Sequence, residues 1–256
     1  MQVPFSWPGS KMKHLDKVLP LIPYTDRFID VFGGSGSVIL NTPFHALDVF
    51  NDINSHVANF YTVLQNKEMM EDLIWRLEIS VHSRELFDLY KERLKEGGLK
   101  PVEEAHMWYY VIQTSFARLG RHYGRNMKES FETKRVYERI PCFEDVHKRL
   151  RHCYIENKNA FTIMKEYDQR DTVFYMDPPY INTPVGTYTG FKKFTEEDHQ
   201  KLLSTIFSLE GVVVLSGEPN ELYDSYPWDE KKEWATNAHI DTDRSGGRTE
   251  CLWVKR

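Results

Sequence analysis

The 256-residue sequence predicts an α/β fold: a sheet of mainly parallel strands, helices on both faces, and one mostly helical insertion. Three observations carry this. Strand-like and helix-like segments alternate before residue 55 and again after residue 153. The apolar run Val173-Phe174-Tyr175-Met176 halts at Pro178-Pro179, as a buried strand does where a loop begins. Between these regions, residues 54 to about 118 read as helical, with no clear strand. The chain therefore divides into a sheet-forming unit, residues 1–55 and 150–256, and an insertion, residues 56–149.

The elements follow in order. Pro4 to Ser10 is a Pro/Gly-rich loop, and Leu15, Val18, Leu19 and Ile22 then share one helical face. Arg27 to Phe32 forms a short buried strand that runs into the turn Gly33-Gly34-Ser35-Gly36-Ser37. Phe44 to Phe50 is a second strand. Residues 119–141, polar and basic, form an exposed loop or hairpin, and a helix lies around Phe143 to His152. After the strand Thr172 to Met176 come a loop, a helix from Glu196 to Leu209, and an apolar strand from Val212 to Leu215. Strand-like segments close the chain up to Val254.

Composition narrows the function. A hydrophobic content of 41% supports a real core, and a formal charge of −5 excludes a chain that binds nucleic acid through its overall charge. No apolar run approaches the roughly 18 residues that cross a bilayer. Val18 to Ile22 is too short for a leader and ends in Pro23. Cys142, Cys153 and Cys251 show no CxxC spacing, which fits a reducing cytoplasm and not a structural zinc site. No metal and no membrane partner are implied.

The glycine turn is a candidate ligand site. In open α/β sheets ligands bind at the carboxyl ends of strands, and glycines there admit positive φ and close approach. Asp30, Phe32, Gly33, Gly34, Ser35, Gly36 and Ser37 are the candidates. Ile39 stands where the third glycine of a dinucleotide pattern belongs, and no Gly-Lys-Ser/Thr follows. Neither a dinucleotide nor a nucleoside triphosphate is expected. Asp52, at the end of the second strand, can accept both hydroxyls of a ribose. A plain turn with a helix-capping Asp is the alternative.

The sharpest feature is Asp177-Pro178-Pro179-Tyr180, directly after the apolar strand. Two prolines fix φ, hold the preceding residue extended and remove two backbone donors. What remains is a rigid rim of acceptors, the Asp177 carboxylate and the Pro178 carbonyl. Such a rim can hold an exocyclic amine by both hydrogens and raise electron density on its nitrogen for attack on a methyl sulfonium. Tyr180 offers a flat face on which a base can stack, worth about 1–3 kcal/mol.

With these motifs in this order the chain resembles the Dam-type, or D12-class, N6-adenine-specific DNA methyltransferases of bacteria and phages. Trp7-Pro8-Gly9-Ser10-Lys11 matches the family's opening aromatic-x-G-x-K element, and Phe28 to Val38 matches its cofactor loop. Asp52 matches its ribose-binding acid, and Asp177 to Tyr180 its catalytic motif. Phe194-Thr195-Glu196-Glu197-Asp198-His199 resembles the helix after the catalytic loop. Arg248-Thr249-Glu250, followed by Cys251-Leu252-Trp253-Val254, resembles the closing strands. The resemblance implies a Rossmann-like, class I S-adenosylmethionine-dependent methyltransferase sheet with an inserted DNA-recognition unit. It places Trp7, Gly9 and Lys11 at the S-adenosylmethionine site, with Lys11 also beside the catalytic loop, and Asp177 at the edge of both cofactor and target. It further implies adenine flipped out of double-stranded DNA, a monomer (or a dimer on DNA), and a cytoplasmic setting. Phe161 falls where the family often carries an acid against the cofactor's adenine, so apolar packing and backbone groups are expected there. Residues 116–125 lack the N-P-F-G-like hairpin of GATC-methylating members, so GATC is not the expected site.

Residues 115–139 hold seven Lys and Arg against three Glu, a local +4. Arg118, Arg121, Arg125 and Lys128 are candidates for phosphate or guanine contact, and His122 and Tyr123 for filling or wedging a base stack. A solvated charged loop is the plain alternative. Rival functions are N4-cytosine DNA or RNA adenine methylation, a DNA-binding relative without catalysis, and, third, a nicotinamide oxidoreductase.

Overall fold

The computed structural model describes residues 1–124, 136–181, 194–236 and 248–256. Arg125 and Lys128 lie outside the described residues.

Among the described residues, seven strands form one sheet in the order β3-β2-β1-β4-β5-β7-β6. They are β1 (Arg27–Asp30), β2 (Leu47–Asn51), β3 (Cys153–Glu156), β4 (Thr172–Met176), β5 (Val212–Gly217), β6 (Glu230–Thr236) and β7 (Arg248–Lys255). β1 to β5 pair parallel, and β7 runs antiparallel between β5 and β6. The chain leaves the centre twice, from β1 toward β2 and β3, then from β4 toward β5. The order therefore reverses between β1 and β4, and a crevice opens at their carboxyl ends.

β4 shows why this chain makes a two-sided sheet. Its residues Thr-Val-Phe-Tyr-Met are all buried, and β-branched and aromatic side chains suit such a strand. Val173 and Tyr175 face one apolar cluster, and Phe174 and Met176 face the other. The first cluster runs from Phe28 and Phe50 through Val57, Phe60 and Tyr61 of α2 (Ser55–Gln65) to Tyr109 of α5 (Pro101–Thr114). The second packs Ile163 and Met164 of α7 (Ala160–Tyr167) and Leu202, Leu203 and Ile206 of α8 (Glu196–Ile206) on the opposite face.

The helices begin where capping residues satisfy free N–H groups. Asn54 caps α2, Asn66 caps α3 (Lys67–Glu78), Ser83 caps α4 (Arg84–Glu96) and Asn159 caps α7. Pro101 opens α5, and Thr195 and Asp198 form a capping box on α8. α2 and α6 (Phe143–Leu150) fall within residues 56–149 or at their edge, yet both sit against β3. Gln65 donates its amide to the carbonyls of Leu150, at 2.7 Å, and Cys153, at 2.6 Å. No described helix is long and apolar enough to cross a membrane.

Three segments differ from the sequence reading. The N-terminal helix is a series of short turns, Lys11–His14, α1 (Leu15–Val18) and Leu19–Leu21, broken by Pro20 and Pro23. The second strand starts at Leu47, because Phe44 is exposed and His45 turns inward to stack on Phe28. β3, absent from the sequence reading, is an edge strand with one buried residue, so it lacks the apolar run that marks β4.

Candidate active site

The crevice is built from four loop segments and one distant strand. β1 ends at Asp30, and Gly33 N–H donates to the Asn51 carbonyl at 2.8 Å, which aligns the glycine turn with the end of β2. The turn has no room for side chains. A Cβ on Gly33 would lie 2.2 Å from the Phe50 ring, and one on Gly34, at φ 50°, would lie 3.0 Å from the Trp7 indole. Tyr61 of α2 fixes the turn from beneath by donating to the Ser35 carbonyl at 2.6 Å.

Asp52 closes the turn from the β2 side. It accepts the N–H of Gly34 at 2.8 Å on one oxygen and the N–H of Asn54 at 2.7 Å on the other. Burial lifts its pKa to about 6 against the pull of those two donors. Each oxygen keeps a lone pair, so the carboxylate can still receive two hydroxyls. Asp30 is 1% exposed, accepts the N–H of Ile39, and is pushed well above the usual carboxylate range by burial. Its Oδ1 has no partner among the described residues.

Lys11 joins the N-terminal turns to the Asp177–Tyr180 loop. Its ammonium donates to Asp177 Oδ2 at 2.7 Å, Tyr180 Oη at 2.9 Å and the Gly9 carbonyl at 3.1 Å. All three ammonium hydrogens are thereby used. Lys11 is only 2% exposed, and its backbone N–H donates to Ser37 Oγ at 3.2 Å. Ser35 Oγ donates to Ser10 Oγ at 2.9 Å. The Trp7-to-Lys11 segment is thus bound to the glycine turn at two points.

This leaves the two Asp177 oxygens unequal. Oδ2 is engaged by Lys11, while Oδ1 is buried without a hydrogen-bond partner among the described residues. A buried, unpaired carboxylate oxygen is costly unless a donor arrives. Pro178 has no N–H to occupy it. The site therefore presents an acceptor to a ligand that carries an N–H.

Of the expected residues, the structure brings together Trp7, Gly9, Lys11, Asp30, Gly33 to Ser37, Asp52, Asp177 and Tyr180. Phe32 and Phe161 lie on the opposite face of the sheet. Phe32 meets Phe194 edge-on at 6.0 Å, and the Phe161 ring lies 4.3 Å from the Lys201 ammonium. Both pack on the cluster formed with α7 and α8.

The basic segment is only partly turned outward. Arg118 donates to the Gln113 carbonyl at 2.6 Å and so is tied to α5. Tyr123 packs inward: its ring meets Phe87 and His82, the Arg84 guanidinium lies 4.8 Å above it, and its hydroxyl pairs with His82 Nδ1. Arg121 is half-buried and His122 is exposed.

Sequence reasoning missed one member of the site as a functional residue. Glu250 of β7 accepts the Tyr180 hydroxyl at 2.7 Å and lies 3.8 Å from the Lys11 ammonium. Its only signal in the sequence is its place in the Arg-Thr-Glu segment before the last apolar run. Among the described residues, no group of three or more His, Cys, Asp and Glu is placed to hold a metal.

A family model described as D12 class N6 adenine-specific DNA methyltransferase matches residues 7–239. A DNA adenine methylase of Serratia marcescens is 26% identical over 233 residues, covering 84% of this chain and 83% of its own. The modification methylase StsI of Streptococcus sanguinis is 22% identical across 94% of this chain, and type II methyltransferase M.FokI of Planomicrobium okeanokoites is 25% identical across 86%. The match spans 38% and 37% of those two longer relatives.

Proposed function

Because the chain belongs to the D12 class N6 adenine-specific DNA methyltransferases, we propose that it moves the methyl group of S-adenosylmethionine to N6 of an adenine extruded from double-stranded DNA. The observation that carries the reading is Asp177: one carboxylate oxygen anchored by Lys11, the other buried with no partner among the described residues. An exocyclic amine fits that oxygen and the adjacent Pro178 carbonyl. A paired adenine cannot reach them, so the base must leave the stack. Tyr180 would support the flipped ring.

The donor set fits the cofactor. The side-chain-free cradle at Gly33 and Gly34 admits a ligand against the backbone, and Asp52 keeps acceptor capacity for a ribose. When bound there, S-adenosylmethionine would supply the electrophilic methyl. The chain's own residues position the amine, raise electron density on its nitrogen and hold negative charge where N6 turns positive. We assign target recognition to the inserted residues 56–149, with Arg121 and His122 as its outward-facing polar groups.

The test is Asp177→Ala. Methyl transfer to duplex DNA should vanish while S-adenosylmethionine affinity changes little, because Asp177 addresses the target amine. A mutant that keeps a tenth or more of wild-type turnover, by the order-of-magnitude scale for transition-state contacts, removes Asp177 from this role.

A further inference from the structure

We propose that Glu250 is a positioning residue for methyl transfer: it sets the direction of the Tyr180 hydroxyl, and through it the Lys11 ammonium, so that Asp177 keeps one oxygen open for the target amine. The proposal rests on the catalytic reading of Asp177 above. β7 places Glu250 by its antiparallel return. Gly217 of β5 pairs with Cys251, and Glu250 stands one residue beyond, opposite Trp234 of β6. It therefore reaches past the end of β5 to the loop that leaves β4, where it meets Tyr180.

A phenol has one hydrogen to give. Tyr180 gives it to Glu250 at 2.7 Å, so its oxygen must accept from Lys11, at 2.9 Å. Lys11 then holds Asp177 by Oδ2 and leaves Oδ1 to the substrate. Without Glu250 the phenol hydrogen needs another acceptor. Of its remaining neighbours Ser216 offers a hydroxyl and Asp177 a carboxylate, the stronger acceptor. A Tyr180 donor turned onto Asp177 would compete with the target amine. Charge points the same way. One ammonium faces two carboxylates, at 2.7 Å and 3.8 Å, so the cluster keeps residual negative charge. That charge favours a nitrogen that becomes positive as its bond to the methyl forms.

Burial raises the Glu250 pKa, Lys11 and Tyr180 pull it down, and Asp177 and Glu218 add to the rise. These four groups face it from the N-terminal turns, the catalytic loop and the end of β5. Loss of activity on the acid side should therefore include protonation of Glu250.

The experiment uses the full chain, duplex DNA and labelled S-adenosylmethionine. Glu250→Ala should lower kcat by about 10–100-fold, the range for displaced supporting groups, with cofactor and DNA Kd nearly unchanged. Glu250→Gln keeps an acceptor for Tyr180 but not the charge, so it should recover part of kcat and shift the acid limb of the pH profile. Should the alanine variant fail to fold, Glu250→Gln alone decides through that limb. Retention of wild-type kcat and pH profile, with Asp177→Ala inactive, overturns the inference and leaves the function standing. Absence of methyl transfer by the wild-type chain overturns the function instead. The Lys11 ammonium resonance then tests Glu250 without turnover: it should broaden in Glu250→Ala, and an unchanged signal sinks the inference.

Discussion

Asp52 holds the glycine turn and, in the proposed function, a ribose, and its protonation should separate the two. Its pKa of about 6 lies above the ordinary carboxylate value because burial penalises the charge. With the folded pKa raised, the protonated form favours folding below about pH 4, and that contribution is lost as pH rises through about 6. A ribose that donates to the carboxylate stabilises the charged form, so the sign for binding is opposite. Cofactor affinity should fall as pH drops from 7 to 5, with an apparent pKa near 6. Calorimetry at several pH values checks this, and an identical fall in Asp52→Asn would assign it to another group. Asp52→Ala should weaken binding by about 1.5–3 kcal/mol, the range for hydrogen bonds to a charge. The loss includes the slackened glycine turn, because the same carboxylate holds the N–H groups of Gly34 and Asn54. Unchanged affinity would remove Asp52 from the site.

At the scale of elements, β2 is held to α6 by a buried charge cluster far in sequence from the catalytic loop. Asp48 is fully buried, pairs with the Arg149 guanidinium at 2.8 Å and contacts His45 Nδ1 at 2.8 Å. Removing one partner of such a pair strands the other charge in the core, at a cost of about 3–5 kcal/mol. Asp48→Ala should therefore lower Tm sharply, and cofactor affinity only as far as β2 loosens. A melt within about a degree of wild type would show that water reaches Arg149 and screens it. The glycine turn responds differently. Gly33→Ala drives a methyl into the Phe50 ring, and overpacking costs about 1–3 kcal/mol. Its main effect should fall on cofactor binding, because the turn and the end of β2 must part. Near-normal affinity in that variant would mean that Phe50 yields easily.

Across the whole molecule, a chain of net charge −5 must attract DNA through local features. The described part of the basic segment forms a small hairpin off α5. Phe116 N–H donates to the His122 carbonyl at 2.8 Å, and Ala117 and Arg118 at its tip have φ of 51° and 62°. Positive φ outside glycine costs about 1–3 kcal/mol each and persists only where the surroundings enforce it. Arg118 supports that turn through Gln113, while Arg121 has its carbonyl held by Lys91 at 2.6 Å. The two arginines should therefore behave differently. Arg118→Ala should lower thermal stability as well as DNA affinity. Arg121→Ala should leave stability intact and either reduce the salt slope by about 1 or relax one base position in the methylated sites. Methylome maps and salt titrations separate these outcomes. If both variants match wild type in sites and slope, recognition lies elsewhere in the insertion.

The sequence alone determined the sheet class, the glycine turn, the carboxylate at the end of β2 and the Asp-Pro-Pro-Tyr loop. Each is a local constraint written in residue type: glycine where φ is positive or a ring presses in, proline where donors must be absent, apolar runs where both faces are covered. It also suggested Lys11, through the aromatic-x-G-x-K element. What only the tertiary structure decided are relations across the fold. Lys11 meets Asp177 across 166 positions, and Tyr180 meets Glu250 across 70. The edge strand β3 escaped notice because it has too little buried surface to mark it, and Tyr123 turned inward because α4 offered it a better-packed partner than solvent. No residue pattern reports such pairings. They arise because β7 returns between β5 and β6 and the N-terminal turns fold over the crevice, which brings Lys11 and Glu250 together at Tyr180 of the Asp177–Tyr180 loop.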